Sequence, residues 1–266
     1  MLDSYDVIDV RREDCIDYVT LNRPGVRNAI DDHVIDELTR WADTATHDRT
    51  LRMAVLGGAG PSFCSGADLG WRSRTIDVDY EENFRDAWAL ARLFVTLDTL
   101  PVPLVGRVHG AVLAGGIGLV AVCDIVVATE DAVFGFTDVT FGLVPAVISP
   151  YAVAKIGSSA SRHLFLTGES FSARRAQELG LVHVLTPPDD LDAAVARVVE
   201  DLKTAGPRAL AATKTLIASV MGRPPATVTH LTVETIADLR VTAEAKEGIR
   251  AFLDKRPPSW VEDDCP

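Results

Sequence analysis

The stretch His109-Gly110-Ala111-Val112-Leu113-Ala114-Gly115-Gly116-Ile117-Gly118-Leu119-Val120-Ala121, running on through Val122-Cys123-Asp124-Ile125, decides how this chain is read. Residues 116–121 fit the pattern G-x-G-x-x-A, and Asp138 stands 20 residues beyond Gly118, as in a dinucleotide-binding turn. In that turn the first glycine directly follows a strand and opens a full-length helix. Here residues 109–115 separate the expected strand end from Gly116, and Asp124 with Ile125, Val126 and Val127 cuts the helix to about two turns. The nucleotide motif is therefore a decoy. The stretch instead describes a turn of small residues leading into a short helix. Such a turn lets a ligand approach the backbone, and a helix start offers N–H groups without internal partners.

A second segment reads the same way. Phe63-Cys64-Ser65-Gly66-Ala67-Asp68-Leu69 follows a buried strand expected over residues 53–56 and the Gly-rich run at 57–61. Two such turns on neighbouring strands would aim two N–H donors at one oxygen, which is the geometry of an oxyanion hole. Working outward, strands are expected near residues 7–10, 16–21, 104–108 and 125–128. Asp31 and Asp32 mark a helix start, with Val34, Ile35, Leu38 and Trp41 at helical spacing, and residues 80–97 read as a long helix stopped by Pro101 and Pro103. The rhythm is strand, strand, helix, an α/β pattern. From about Leu191 the texture turns helical, over residues 191–202, 207–221, 228–239 and 243–253, with Pro224-Pro225 as an internal hinge. A core over residues 1–200 and a helical appendage over 201–266 follow. Such an appendage buries little alone, so it should pack on the core or on another subunit.

With 266 residues, the chain is long enough for one main domain carrying a smaller one. Lys plus Arg number 26 against 38 Asp plus Glu, a formal charge of −12, the wrong sign for a nucleic-acid partner. The most apolar window, residues 111–128, is interrupted by Gly115, Gly116, Gly118 and Asp124, so it reads as core rather than a membrane span. The N-terminal residues 1–6 are acidic and lack an apolar signal region, and a cytoplasmic location is expected. Cys15, Cys64, Cys123 and Cys265 have no metal-ligand spacing and are expected to be free thiols.

The residues also carry a resemblance. Leu21-Asn22-Arg23-Pro24, Arg27-Asn28-Ala29, residues 63–69, Gly115-Gly116 with Cys123-Asp124-Ile125, Phe134-Gly135 and Gly142-Leu143-Val144-Pro145 resemble the enoyl-CoA hydratase/isomerase (crotonase) superfamily. Leu166-Thr167-Gly168-Glu169, Leu179-Gly180-Leu181-Val182, Lys246-Glu247-Gly248 and Lys255-Arg256 continue the match in the family's order. The resemblance implies a ClpP-like spiral of strand-strand-helix turns with a helical C-terminal trimerisation region, assembled as a homotrimer or dimer of trimers. It implies an acyl-CoA substrate, with coenzyme A entering as part of that substrate and no separate cofactor or metal. By position, the N–H groups of Ala67 and Gly115 match the oxyanion hole. Val26, Arg27, Ala29, Ser65, Gly66, Asp68, Leu69, Gly116, Gly118, Pro145 and Lys255 match substrate-binding positions.

Hydratases of this family resemble one another in using two glutamates. Here the first position is Gly118 and the second is Asp138, one methylene shorter, which withdraws its oxygens by about 1.5 Å. Three readings stay open. Asp138 serves as acid and base in turn for hydration, with water held by the Gly118 backbone or another polar group; it shuttles a proton between carbons as an isomerase; or the chain binds acyl-CoA without efficient catalysis. Residues 142–151 look like a subgroup that includes bacterial methylglutaconyl-CoA hydratases, which favours hydration. The bland reading of Asp138 is a solvated or helix-capping aspartate, and that of His109 is a hydrogen-bonded turn residue. Trp71, Phe84 and Trp88 read as core or pocket wall. Because CoA is itself anionic, local cations must offset the acidic total, and Arg23, Arg27, Lys246, Lys255 and Arg256 are the candidates.

Overall fold

In the computed structural model, residues 4–74 and 76–262 are described. The elements run β1 (Ile8–Glu13), β2 (Ile16–Leu21), α1 (Asp32–His47), β3 (Met53–Gly58), α2 (Leu69–Arg74), α3 (Tyr80–Asp98), β4 (Leu104–Val108), β5 (Ala111–Leu113), α4 (Gly115–Ala121), β6 (Ile125–Thr129), β7 (Val133–Gly135), α5 (Ser149–Thr167), β8 (Ser170–Ser172), α6 (Ala173–Glu178), β9 (Val184–Thr186), α7 (Leu191–Lys203), α8 (Pro207–Val220), α9 (Pro225–Arg240), α10 (Ala243–Asp254) and α11 (Ser259–Glu262).

Two sheets share these strands. The larger has the order β1-β2-β3-β4-β6-β9, antiparallel only between β1 and β2, and the smaller has the order β5-β7-β8. The chain gives β4 to the large sheet and β5 to the small one, then α4; it next gives β6 and β7, then α5. Each turn thus lays one strand on each sheet, and the repeat advances as a spiral. The small sheet escapes sequence reading because its strands are three residues long, below the length at which alternation shows.

The central strands are buried on both faces, as parallel strands under helices must be. Met53, Val55, Val105 and Val127 meet Leu191, Ala194, Val195 and Val199, the apolar stripe of α7. Ala54, Leu56, Leu104, Val126 and Ala128 point the other way into the main core, where Leu38 and Trp41 of α1 and Leu93, Phe94 and Leu97 of α3 close over them. Burying each large apolar side chain contributes roughly 1.5–3 kcal/mol.

From Pro207 onward all described elements are helices. Pro224 caps α9 and Pro225 is its first residue, so the pair lies at the junction of α8 and α9. This region docks at the N-terminal ends of the central strands. Lys214 Nζ donates to the Val102 carbonyl (3.0 Å) and pairs with Asp124 (2.7 Å), and the Arg52 guanidinium donates to carbonyls of Lys203, Ala205 and Trp260. Of α8, α9 and α10, only Val228 and Ala251 are buried in one chain. One expectation fails: Cys15 is disulfide-bonded, whereas Cys64 and Cys123 are free and buried. Spacing along the chain says nothing about which thiols folding brings together. Cys265 and residues 1–3 lie outside the described residues.

Candidate active site

The spiral sets two loop ends side by side. Beyond β3 the chain forms a parallel bridge from Cys64 to Val112 of β5. Parallel neighbours advance together, so the residues three further on, Ala67 and Gly115, emerge at one edge. Gly115 is the first residue of α4 and its N–H has no acceptor within the helix. Among the described residues no backbone carbonyl takes the N–H of Ala67 either, although its neighbours are committed: Ile30 N–H donates to Gly66 O (2.7 Å) and Asp68 N–H to Ile30 O (2.8 Å). The close approach of the two loops requires glycine. Gly66 has φ +93, and a Cβ on Gly116 would lie 2.5 Å from the Cys64 carbonyl oxygen.

Ala67 and Gly115 open into a cavity of about 330 Å³ that Asp138 also lines. Asp138 follows the first residue of a short turn of helix (Thr137–Phe141) after β7, and its Oδ2 is buried with no hydrogen-bond partner among the described residues. The indole Nε1 of Trp71, on the same cavity, is likewise buried and unpartnered. Native interiors rarely leave such groups unsatisfied, so an acceptor and a donor waiting in one cavity point to a ligand. Burial holds the Asp138 carboxyl above the usual aspartate range, against the opposing pull of its own backbone amide and of the Arg72 charge. The Cys64 thiol, by contrast, is pushed up to about 12 by burial and is inert as a nucleophile.

The remaining sequence candidates separate into groups. Pro145 lines the cavity with Leu143 and Val144. Val26, Arg27, Ala29, Ser65, Gly66 and Asp68 form the adjoining loops: Ser65 N–H donates to Arg27 O (3.0 Å), and Arg23 bridges Ala29 O, Asp31 and Asp68. Leu69 begins α2 and is exposed. Arg23 therefore spends its charge inside the loop and is not a free phosphate ligand. Arg256 is likewise held by Glu247 (2.6 Å), while Arg27 and Lys246 are exposed. Lys255 ends α10, on the region docked at the N-terminal ends of the strands, whereas the cavity lies beyond their C-terminal ends; one chain does not bring it to the cavity. His109 is a turn residue, with Nε2 2.9 Å from Gly60 O.

Gly118 does not reach the cavity. It is buried, its N–H is directed at Ala114 O and its carbonyl takes Val122 N–H, so its backbone is engaged within the helix and does not line the cavity. A Cβ there would lie 2.7 and 2.8 Å from the Phe94 ring and would also collide with Ile148.

Four contributions were not read from the sequence. Asn28, buried with φ +56, donates from Nδ2 to Ala59 O and Ser62 O (both 2.8 Å) and accepts from Arg23 N–H, pinning the loop that carries Ala67. Arg72 lies 4.4 Å over the Phe141 ring and faces the cavity. Asn83 and Asp86 enter from α3. Their signal is a polar pair at 83 and 86 heading the stripe Leu90, Leu93, Phe94 and Leu97. A wider groove of about 560 Å³ between α1 and α3 shares Trp71 and Asp86 with the cavity but contains neither amide donor.

The profile described as enoyl-CoA hydratase/isomerase matches residues 11–263. The chain belongs to that family. It is 38% identical over 242 residues to a Thermus thermophilus protein provisionally named an enoyl-CoA hydratase, covering 91% of this chain and 96% of the relative. It is 30% identical over 254 residues to the 2,3-dehydroadipyl-CoA hydratase of Escherichia coli, covering 94% and 97%. A crystal structure of an enoyl-CoA hydratase from Shewanella pealeana superposes with a TM-score of 0.92 at 35% identity, covering 96% of each chain. The spiral is thus the crotonase fold. Among the described residues no group of three metal-ligating side chains occurs, and no helix is long and apolar enough to cross a membrane.

Proposed function

We propose that this enzyme adds water to a 2-enoyl-CoA thioester, or removes it in reverse. The observation that carries the reading is one cavity holding the Ala67 and Gly115 turn ends together with the unpartnered Asp138 carboxyl. The thioester carbonyl accepts from the two amides, so electrons leaving the Cα–Cβ double bond come to rest on its oxygen. Asp138 gives its proton to Cα in the hydration direction and takes it back in dehydration. A carboxyl raised by burial is suited to that exchange, because its acid form persists nearer neutral pH.

Coenzyme A enters as part of the substrate, with no further cofactor in the reaction. The exposed Ile217, Ile236, Ile249, Phe252 and Leu253 of α8–α10, with Met221 just after α8, suit burial against other copies, as in a homotrimer or a dimer of trimers. Such an assembly also gives Lys255 a route to the CoA phosphates of a neighbouring subunit.

Gly118 favours one rival. With the first acid position filled by Phe94 and Ile148, Asp138 alone could move a proton between carbons, which is double-bond isomerisation. Incubation with crotonyl-CoA, 3-methylglutaconyl-CoA and a 3-enoyl-CoA, with product identification, decides between them. A 3-hydroxyacyl product supports hydration. A shifted double bond without added water supports isomerisation, and tight acyl-CoA binding without turnover removes both.

A further inference from the structure

Asn83, Asp86, Ala87 and Leu90 of α3 line the cavity. Their spacing of three, one and three residues places them on one face of the helix. Along that face, beyond Leu90, come Leu93, Phe94 and Leu97, all fully buried. Gly118 of α4 lies against this buried part, and the Phe94 ring and Ile148 fill the direction in which a side chain at 118 would project. Polar groups on this wall must therefore come from the cavity-facing turns of α3. Asn83 Nδ2 is directed back at the Asp79 carbonyl (3.1 Å) and the Val78 carbonyl, at the start of its own helix. The Asp86 carboxylate, half-buried on the cavity wall, has no hydrogen-bond or ion-pair partner among the described residues.

We propose that Asp86 is the second catalytic carboxylate of this enzyme, holding the water that adds to Cβ and accepting its proton. The proposal rests on the hydratase reading given above. In the step, the water oxygen forms a bond to Cβ as one of its protons passes to Asp86. The Cα–Cβ π pair shifts to form a double bond between Cα and the thioester carbon, and the carbonyl π pair moves onto the thioester oxygen between Ala67 and Gly115. Collapse of that enolate takes the Asp138 proton onto Cα, so two protons and one oxygen are added without any redox change. Asp86 then returns a proton to solvent and Asp138 regains one. The second carboxylate is thus displaced from α4 to α3, on the wall that Phe94 and Ile148 leave open.

Two reactions separate the roles. Exchange of the Cα proton of butyryl-CoA in D2O needs the amides and Asp138 but adds no water, whereas hydration needs all four groups. Asp86→Asn should lower hydration on the order of 10²–10⁴-fold, keep Cα exchange within about twofold of wild type and keep the affinity for butyryl-CoA. Asp86→Glu, which restores a carboxylate, should recover at least tenfold of the lost hydration. Asp86→Ser provides the same comparison if asparagine disturbs the helix.

Hydration at the wild-type rate in Asp86→Asn overturns the proposal and leaves Asp138 untouched. Equal loss of hydration and exchange also overturns it, because Asp86 would then only shape the fold. Absence of hydration by the wild type on every 2-enoyl-CoA in the panel is a separate result, which removes the hydratase reading and the role of Asp86 with it.

Discussion

Substituting Gly118→Ala tests whether the first acid position has been given over to packing. The new Cβ would lie 2.7 and 2.8 Å from two Phe94 ring atoms and would also meet Ile148. Carbon atoms settle at about 3.5–4.0 Å, so the ring must withdraw by roughly 0.8–1.3 Å. Phe94 is fully buried and has nowhere to go without disturbing Leu93, Leu97 and the sheet beneath. With three atoms inside 3.0 Å, overpacking here falls in the upper part of the usual range, about 2–3 kcal/mol. Helix propensity returns up to about 1 kcal/mol for Gly→Ala in α4. A net loss of about 1–2 kcal/mol is expected, which for a chain of this length lowers Tm by about 2–8 °C.

Urea unfolding at fixed protein concentration gives the free energy, and a double-mutant cycle with Phe94→Leu isolates the cause. If the clash is the reason, the double variant should be at least ~1 kcal/mol more stable than the sum of the two single changes. Gly118→Ala with stability equal to or above wild type would refute the reasoning. The direction beyond Gly118 would then be open space, and a water or a longer side chain could stand there.

Three further outcomes are expected. Asp138→Asn should reduce hydration by about 10²–10⁴-fold, and since the buried carboxyl is raised in the folded state, its contribution to stability is present at low pH and fades as pH rises through the folded value. The same variant should therefore be more stable than wild type at pH 7 and lose that advantage toward pH 4, as thermal unfolding at both pH values would reveal; a variant destabilised at pH 7 contradicts the burial argument. Glu37 is buried and accepts the N–H groups of Asp6, Val7 and Ile8 at 2.8–3.1 Å, so Glu37→Ala should destabilise the chain by about 1–3 kcal/mol with kcat unchanged, checked by denaturant melts beside steady-state kinetics. Lys255→Glu should weaken CoA binding at low salt and less so at high salt, measured by titration calorimetry, and unchanged low-salt affinity would mean that the phosphates are held elsewhere.

The parts of this molecule that were legible in the sequence are those where one residue type meets one local requirement. The short β-branched runs at 16–21, 53–56, 104–108 and 125–128, bounded by turn residues, read as strands and are strands, and the helix from Gly115 ends within two turns because Asp124 and the strand after it leave no room. Ala67 and Gly115 were legible as turn ends, but their adjacency depends on the Cys64–Val112 bridge, a long-range pairing with no local signature. Charges were the least legible. Arg23 reads as a phosphate ligand until folding places Asp31 and Asp68 beside it, and Asp86 drew no reading at all because only the packing of α3 brings it to the cavity. Gly118 reads as a missing acid, whereas its neighbours show a site closed by a phenyl ring and an isoleucine.

Because the amides of Ala67 and Gly115 belong to the main chain, no change of side chain at those positions deletes a donor short of introducing proline. In the proposed mechanism the electrophilic half of the centre comes with the backbone of the fold, while the proton-moving half depends on single carboxylates that one codon can move or erase. On that mechanism, a change of acid alters the reaction while the two main-chain donors for the thioester oxygen stay in place. A designer who wanted new chemistry here would keep both loop ends and redistribute acids along α3 and the turn that carries Asp138.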